Sequence, residues 1–181
     1  ATFVSPNEIA VIGADGGEQR RLAASTFLIA TGSSPLRPAG VPFSDPDVED
    51  SDTILQLDRI PDALAVVGGG VIGCEYASIF GALGVRVTLI NSRERLLMQL
   101  DADLSDALRV ELTRRMGVQV ILDTNVSAVT VEGDLATVTL SDGRALAADC
   151  VLYCAGREGN SDGLQLDNTG VKTNARGFVQ V

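Results

Sequence analysis

The feature of this chain that most restricts its fold is a cluster of glycines directly after an apolar run. The run covers residues 64–67, and it continues into Gly68, Gly69, Gly70 and, three residues later, Gly73. Beyond the cluster the apolar residues recur with a helical period, within the stretch "LAVVGGGVIGCEYASIF". We therefore predict a strand, a tight turn and a helix over about 71–83.

The spacing Gly68-x-Gly70-x-x-Gly73, placed between a strand and a helix, is typical of a dinucleotide-binding turn. Gly68 permits the tight turn, Gly70 lets the backbone approach a pyrophosphate, and Gly73 lets the helix pack against the sheet. The N-terminal amides of the helix favour the anion. An ordinary turn with incidental glycines is the alternative, but a second strand at 85–90 follows at the expected distance and favours dinucleotide binding.

The residues after this unit predict the rest of an α/β sheet. An amphipathic helix ends at a glycine, and strand 118–122 follows it. The period then becomes alternating, which predicts an antiparallel insert of three strands over 125–147, with its first turn at Gly133-Asp134. A last parallel strand is expected at 149–154. The predicted fold class is α/β, a Rossmann-like parallel sheet with an antiparallel three-stranded insert.

Ahead of the glycine cluster the sequence predicts short strands and a connector. Strands are expected at 7–12 and 18–30, and the second ends in a buried β run, Phe27–Ala30. A segment rich in proline, glycine and aspartate follows, and it places a domain boundary near 42–50. At the other end of the chain, residues 160–181 are loop-rich and stop inside what looks like another strand.

A short helix is predicted between the connector and the glycine cluster, within "DSDTILQLDRIPDA". Ser51 or Asp52 is the candidate N-cap, because either side chain can accept a hydrogen bond from a free amide of the first turn. Pro61 is expected to end this helix, since proline has no amide hydrogen to continue it.

The charge of the chain argues against two classes of partner. The 181 residues carry a formal net charge of −10, and the estimated isoelectric point is 4.3. Such a chain repels nucleic acid and anionic lipid at long range. No apolar run approaches the roughly 20 residues needed to span a bilayer, and the first residues lack the basic start of a signal peptide. We expect a cytoplasmic protein whose partners are small-molecule nucleotides, without nucleic acid or membrane.

The inventory of nucleophiles and metal ligands is narrow, because the chain has no histidine and three cysteines. Without histidine, Ser-His-Asp and Cys-His schemes are excluded and a catalytic zinc site is disfavoured, so no metal site is predicted. Cys150 and Cys154 lie on one face of a predicted strand but too far apart to bond, so we interpret them as buried small hydrophobes. The chemistry is therefore expected from a bound cofactor.

The end of the second strand of the βαβ unit bears on which dinucleotide binds. An acidic residue there would accept hydrogen bonds from the 2′-hydroxyl of NAD and repel the 2′-phosphate of NADP. Asn91 stands at this position, followed by Ser92, Arg93 and, two residues on, Arg95. The hypothesis is that both NAD(H) and NADP(H) are accepted. A solvated loop in which Glu94 neutralises the arginines is the alternative.

Three motifs in this order resemble the pyridine nucleotide–disulfide oxidoreductases, flavoproteins that bind two dinucleotides. They are "TFLIATGSSP", "LAVVGGGVIGCEYASIF" and "DCVLYCAGREGN". Within the family, "LINSRERLL" and "GREGN" are most similar to the soluble transhydrogenase branch. The resemblance covers essentially the whole chain.

The resemblance implies a second, NAD(P)-binding domain of such a flavoprotein at 44–159, with the end of an FAD domain at 1–43 and the start of its return at 160–181. It implies hydride transfer between NADPH and NAD through FAD, by a full-length homo-oligomer that associates through a domain outside this chain. Alone, this polypeptide would bind nucleotide without turnover. An NAD(P)H-dependent disulfide or metal-ion reductase of the same family, and a non-catalytic nucleotide-sensing module, are the alternatives.

The resemblance also implies roles for individual residues. Those expected to face the pyrophosphate and its ribose are Gly68, Gly70, Val71, Ile72 and Gly73. Those expected at the adenosine ribose are Asn91, Ser92 and Arg93; many NADP-preferring members have an arginine in place of Ser92, so phosphate recognition would fall to Arg93. Gly156 would lie beside the nicotinamide. Glu75 would lie near the flavin in a supporting catalytic role, with an ordinary acid in the first helical turn as the alternative.

Overall fold

A computed structural model describes residues 1–133 and 135–181, which form two compact units. One unit comprises Ala1–Ser34 together with Arg157–Val181, and the other comprises Pro35–Gly156. In chain order the strands and α-helices are β1 (Thr2–Ser5), β2 (Glu8–Ile12), β3 (Glu18–Ala23), β4 (Ser33–Pro35), β5 (Val48–Glu49), β6 (Ala63–Val67), α1 (Val71–Ala82), β7 (Arg86–Ile90), α2 (Ala102–Arg114), β8 (Gln119–Ile121), β9 (Val126–Glu132), β10 (Leu135–Leu140), β11 (Ala145–Ala148), β12 (Cys150–Tyr153) and β13 (Arg157–Gly159). Short 3-10 helices cover Ile54–Gln56, Asp162–Leu164 and Leu166–Asn168.

The centre of the Pro35–Gly156 unit is a parallel sheet with the strand order β5-β12-β6-β7-β8. All five residues of β6 are buried and apolar, as expected for a central strand that is covered on both faces. This arrangement confirms the predicted Rossmann-like parallel sheet. The edge strand β5 was not anticipated, because its two residues are too few to show a period.

One face of the sheet is covered by the antiparallel insert, in the order β11-β10-β9. Val138 of β10 lies opposite Val129 on one side and Leu146 on the other. The buried residues of the insert form one apolar cluster with Ala65 and Val67 of β6. The predicted three-stranded insert is therefore confirmed, whereas Asp134, in the first predicted turn, lies outside the described residues.

The opposite face of the sheet is covered by α1 and α2. Leu64 and Val66 of β6 join this second cluster, so successive residues of one strand alternate between the two cores. In α2, Leu112 is fully buried and Leu108 packs beside it, whereas Leu104 is 58% exposed. Within the described part of the chain, no helix is long and apolar enough to cross a membrane.

The helix predicted between the connector and the glycine cluster is only a 3-10 turn, Ile54–Gln56. The Asp50 carboxylate accepts hydrogen bonds from the amides of Asp52 (2.8 Å) and Thr53 (3.0 Å). Burial opposes ionisation of Asp50, but these amides and Arg37 lower its pKa. The predicted cap at Ser51 or Asp52 is wrong, because the turn begins later than expected: its N-cap residue is Thr53, without a side-chain cap hydrogen bond among the described residues. The turn also ends well before the proline.

The Ala1–Ser34 and Arg157–Val181 unit contains the antiparallel sheet β1-β2-β3, and β13 pairs with β4. The predicted buried run Phe27–Ala30 is wrong: these residues form no strand, and Leu28 is 91% exposed. Among the described residues the run pairs with no strand, and only Phe27 and Ile29 are half-buried, with the Phe27 ring against Phe3 of β1. Near the end of the chain, a single bridge between Thr173 and Val179 replaces the expected strand.

Candidate functional site

The candidate site lies beyond the carboxyl ends of β6, β7 and β12. The chain leaves β6 toward β7 on one side, while β12 lies on the other, and ligands of open parallel sheets bind at this reversal of strand order. A cavity of about 100 Å³ opens there, lined by Val67, Gly68, Ile90, Ser92, Thr124, Asn125, Val126, Tyr153 and Ala155. A larger cavity of about 370 Å³ lies at the amino ends of β6, β7 and β8, beside β11.

Gly68 and Gly73 are required by close backbone packing within the turn. Gly68 has a φ of +121°, and a Cβ built on it would lie 2.8 Å from the carbonyl oxygen of Cys154. A Cβ on Gly73 would overlap the carbonyl oxygen of Gly68. The Gly68 amide meanwhile donates to the Ile90 carbonyl at 2.8 Å. These two glycines let α1 start directly against the end of the sheet.

Gly70 differs from both, because nothing in the protein requires a glycine there. It is the N-cap residue of α1, with φ −80° and ψ −172°, an extended conformation that any residue adopts. A Cβ built on Gly70 would have no atom within 4 Å. The missing side chain therefore leaves open space in front of the helix, which suits a ligand that approaches the backbone.

The start of α1 offers unshared amide donors. The first amides of a helix have no intrahelical acceptor, and among the described residues no side chain caps this end. Its first turn contains no acidic residue, so nothing opposes an anion at the positive end of the helix dipole. Val71 is 51% exposed beside these amides and Ile72 is half-buried.

Glu75 is exposed on α1, one turn beyond these donors. It is the fifth residue of the helix and lies outside the first turn. The alternative of an ordinary first-turn acid is therefore wrong, because a helix dipole acts mainly within the first turn. Its predicted place near a flavin stays a prediction.

Asn91 follows β7 and is 7% exposed. Its Oδ1 accepts a hydrogen bond from the Gly69 amide at 3.2 Å, and its Nδ2 donates to the carbonyls of Arg93 (3.1 Å) and Arg95 (2.8 Å). Both amide hydrogens are therefore committed inside the protein. A ribose hydroxyl could reach only the second lone pair of Oδ1.

The loop after Asn91 presents polar and basic side chains. Ser92, Arg93 and Glu94 are exposed, Arg95 is half-buried, and Ser92 lines the small cavity. Within residues 1–133 and 135–181 neither arginine forms an ion pair, so the alternative of neutralisation by Glu94 is not seen.

Gly156 lies just after β12 and is half-buried. Its carbonyl accepts a hydrogen bond from the Leu36 amide at 3.0 Å. Ahead of it, the Cys154 thiol donates to the Val67 carbonyl at 3.3 Å, beneath the glycine turn. Burial raises the pKa of Cys154 to about 12 and that of Cys74 to about 11. These free thiols are neutral packing groups, as interpreted for Cys154.

Sequence reasoning missed Gly69, Thr124 and Asn125. A Cβ on Gly69 would lie 2.6 Å from Asn91 Cγ, and the Gly69 carbonyl accepts the Leu97 amide at 3.0 Å. Gly69 is therefore the point at which the turn and the loop after β7 meet. The run of three glycines was a usable signal for it. The cavity residues Thr124 and Asn125 carried no such signal, because they belong to no recognisable sequence motif and lie just before β9.

A sequence profile described as pyridine nucleotide-disulphide oxidoreductase matches residues 2–181. Soluble pyridine nucleotide transhydrogenases of Pseudomonas paraeruginosa and Pectobacterium atrosepticum are 45% and 44% identical to the chain over 183 residues. Each alignment covers 100% of this chain, but 39% and 38% of the relative. The chain thus spans less than half the length of these curated relatives.

Solved structures with a similar backbone are also known. The HOCl-induced flavoprotein disulfide reductase RclA from Escherichia coli, in its Cu(II) complex, superposes with a TM-score of 0.87 at 29% identity, over 99% of this chain and 40% of that one. LpdA from Mycobacterium tuberculosis gives 0.84 at 31% identity, over 97% of this chain and 39% of that one.

Proposed function

This chain belongs to the pyridine nucleotide-disulphide oxidoreductase family, and on that premise we propose that its Pro35–Gly156 unit binds NAD(H) and NADP(H). We propose further that the whole protein transfers hydride between NADPH and NAD through FAD, because its 44–45% identical relatives are soluble pyridine nucleotide transhydrogenases. Because the chain spans less than half of those relatives, FAD, turnover and homo-oligomerisation are proposed for the whole protein. The unit alone is proposed to bind nucleotide without turnover.

The observation that carries the proposal is the open space at Gly70. A pyrophosphate there would meet backbone instead of a side chain, and it would accept the uncapped amides that begin α1. The chain carries a net charge of −10, but no acidic residue lies in the first turn, so a diphosphate there would meet no like charge at the start of the helix. The residues present therefore fit a dinucleotide.

The remaining contacts are assigned by position along the sheet edge. Ser92, which lines the cavity, and Arg93, which is exposed beside it, are proposed to hold the adenosine ribose and its 2′-phosphate. Gly156, after β12, is proposed to lie beside the nicotinamide, and Glu75 to support the flavin side. The bound pyridine nucleotide supplies or accepts the hydride, while these residues bind and orient it.

The test compares Gly70→Ala with Gly40→Ala. Both glycines have open space at the Cβ position, but Gly40 lies in the connector and outside the site. We expect the free energy of unfolding of both variants to lie within about 0.5 kcal/mol of the wild-type value, since neither added methyl group meets an atom. In calorimetric titrations, Gly70→Ala should lose about tenfold or more in affinity for both NADH and NADPH, and Gly40→Ala should lose nothing. Unchanged binding by Gly70→Ala would contradict the proposal.

A second candidate is a disulfide or metal-ion reductase, which the similarity to a flavoprotein disulfide reductase solved as a Cu(II) complex favours. The whole protein separates the two. Transhydrogenation predicts NADPH-dependent reduction of an NAD analogue without added disulfide or metal ion. A reductase predicts NAD(P)H oxidation only when a disulfide or metal ion is supplied. A nucleotide-sensing module would purify without the visible absorbance of a bound flavin.

A further inference from the structure

The loop of residues 92–96, here called the arginine loop because it carries Arg93 and Arg95, is held by the side chain that precedes it. Asn91 is nearly buried, and its Nδ2 reaches two carbonyls of the loop at 3.1 and 2.8 Å. Its Oδ1 is turned the other way, toward the Gly69 amide. One amide group therefore ties the arginine loop to the glycine turn.

Other bonds to the loop come from the backbone and from α2. The Asp123 amide also donates to the Arg93 carbonyl (3.1 Å), and the Ser105 hydroxyl donates to the Leu96 carbonyl (2.8 Å). Asp123 and Leu97, beside the loop, have φ values of 51° and 47°, a left-handed conformation that costs free energy in residues other than glycine. Such a backbone persists only when the surrounding structure defines it: the Asp123 amide is held by the arginine loop and the Leu97 amide by Gly69, and within the loop itself Asn91 supplies two hydrogen bonds.

No ion pair among the described residues fixes the side chains of Arg93 and Arg95. The backbone of the loop therefore sets their position relative to the start of α1.

From these contacts we propose that Asn91 is a positioning residue for NADP(H): its amide hydrogens hold the arginine loop against the glycine turn, and it does not select the coenzyme by touching the ribose. The inference rests on the proposed nucleotide-binding function. In the earlier hypothesis Asn91 matters because a neutral side chain does not repel the 2′-phosphate. Here it matters because its amide hydrogens hold the arginine loop.

A carboxylate at this position would fail for a reason that lies inside the protein. Aspartate keeps the Oδ1 acceptor for Gly69 but replaces Nδ2 by an oxygen, which would face the carbonyls of Arg93 and Arg95 without a hydrogen between them. The acidic residue that many NAD-binding proteins have at the position of Asn91 would therefore repel the carbonyls of the arginine loop. The adenosine ribose must then be recognised by other groups, of which Ser92 already lines the cavity.

The experiment is a calorimetric titration of Asn91→Asp with NAD⁺ and NADP⁺. Positioning predicts that NADP⁺ affinity falls about tenfold or more and that NAD⁺ affinity does not rise. A direct ribose contact predicts the opposite for NAD⁺, because a carboxylate accepts the 2′-hydroxyl better than an amide oxygen does. Tighter NAD⁺ binding by Asn91→Asp would overturn the proposal.

A pH series adds a readout that simple loss of packing would not move. The protonated form of the new aspartate can donate one hydrogen bond to a loop carbonyl, so NADP⁺ affinity, taken relative to wild type at each pH, should recover as the pH falls. The same substitution in an Arg93→Gln, Arg95→Gln background should cost NADP⁺ no more than about twofold beyond its effect on NAD⁺. A flat pH ratio, or a full tenfold cost in that background, would contradict the proposal.

A neutral variant guards against failure of Asn91→Asp to fold. Ser105→Ala removes the bond to Leu96 without changing charge, and it should weaken NADP⁺ more than NAD⁺. Equal weakening of the two would count against the proposal. Wild-type protein that binds neither coenzyme would overturn the nucleotide-binding function itself, whereas normal wild-type binding with tighter NAD⁺ binding by Asn91→Asp would overturn this inference alone.

Discussion

The glycine turn after β6 and the arginine loop after β7 leave the same edge of the sheet and meet at Gly69, yet they are built in opposite ways. In the turn, the absence of side chains matters: Gly68 and Gly73 admit backbone that a Cβ would strike, and Gly70 leaves space. In the loop, the presence of one side chain matters, because Asn91 supplies the bonds that hold it. The turn is therefore shaped by what its glycines leave out, whereas the loop is shaped by the bonds that one side chain makes.

The largest expected effect is on the turn. Gly73→Ala places a Cβ on the carbonyl oxygen of Gly68, and because that atom belongs to backbone the turn must shift. We expect the free energy of unfolding to fall by about 3 kcal/mol, measured by urea denaturation. Gly40→Ala, which meets no atom, is the matched control. A loss no larger than that of the control would show that the turn is not constrained by backbone packing.

A smaller effect is expected from one bond of the loop. Ser105 is 2% exposed and donates its hydroxyl hydrogen to the Leu96 carbonyl at 2.8 Å. Ser105→Ala should lower the free energy of unfolding by about 1 kcal/mol, since one buried acceptor loses its partner. Ser127→Ala, at an exposed serine in the insert, is the comparison variant. If both alanine variants unfold alike, the loop is not anchored through α2.

The smallest effect on stability is expected from the arginine itself. Arg93 is exposed and makes no ion pair among the described residues, so Arg93→Gln should change the free energy of unfolding by less than about 0.5 kcal/mol. NADP⁺ binding should nevertheless weaken, with NAD⁺ binding unchanged. Glu94→Gln, which removes a charge of opposite sign from the same loop, is the control and should not weaken NADP⁺. If Arg93→Gln lost equal affinity for NADP⁺ and NAD⁺, the loop would not differ from the turn in acting on one coenzyme.

Much of the Pro35–Gly156 unit could be predicted from the sequence. The helical period predicted α1 and α2, alternation predicted the insert, and glycine spacing predicted the turn, because each pattern expresses the geometry of neighbouring residues. The cap of the 3-10 turn was misplaced, since the helix begins only after Thr53, and the buried Asp50, held by Arg37, binds amides that precede it.

By itself, then, the sequence determined the α/β class, the parallel sheet with its antiparallel insert and the position of the glycine turn. Only the tertiary structure decided which groups the Asn91 side chain contacts, because its partner Gly69 lies 22 residues away. It also decided that Phe27–Ala30 forms no strand, since a ladder requires a neighbour that no local pattern encodes. The period of a helix or strand depends on residues that are close in sequence, whereas a hydrogen bond between distant segments forms only when the chain folds.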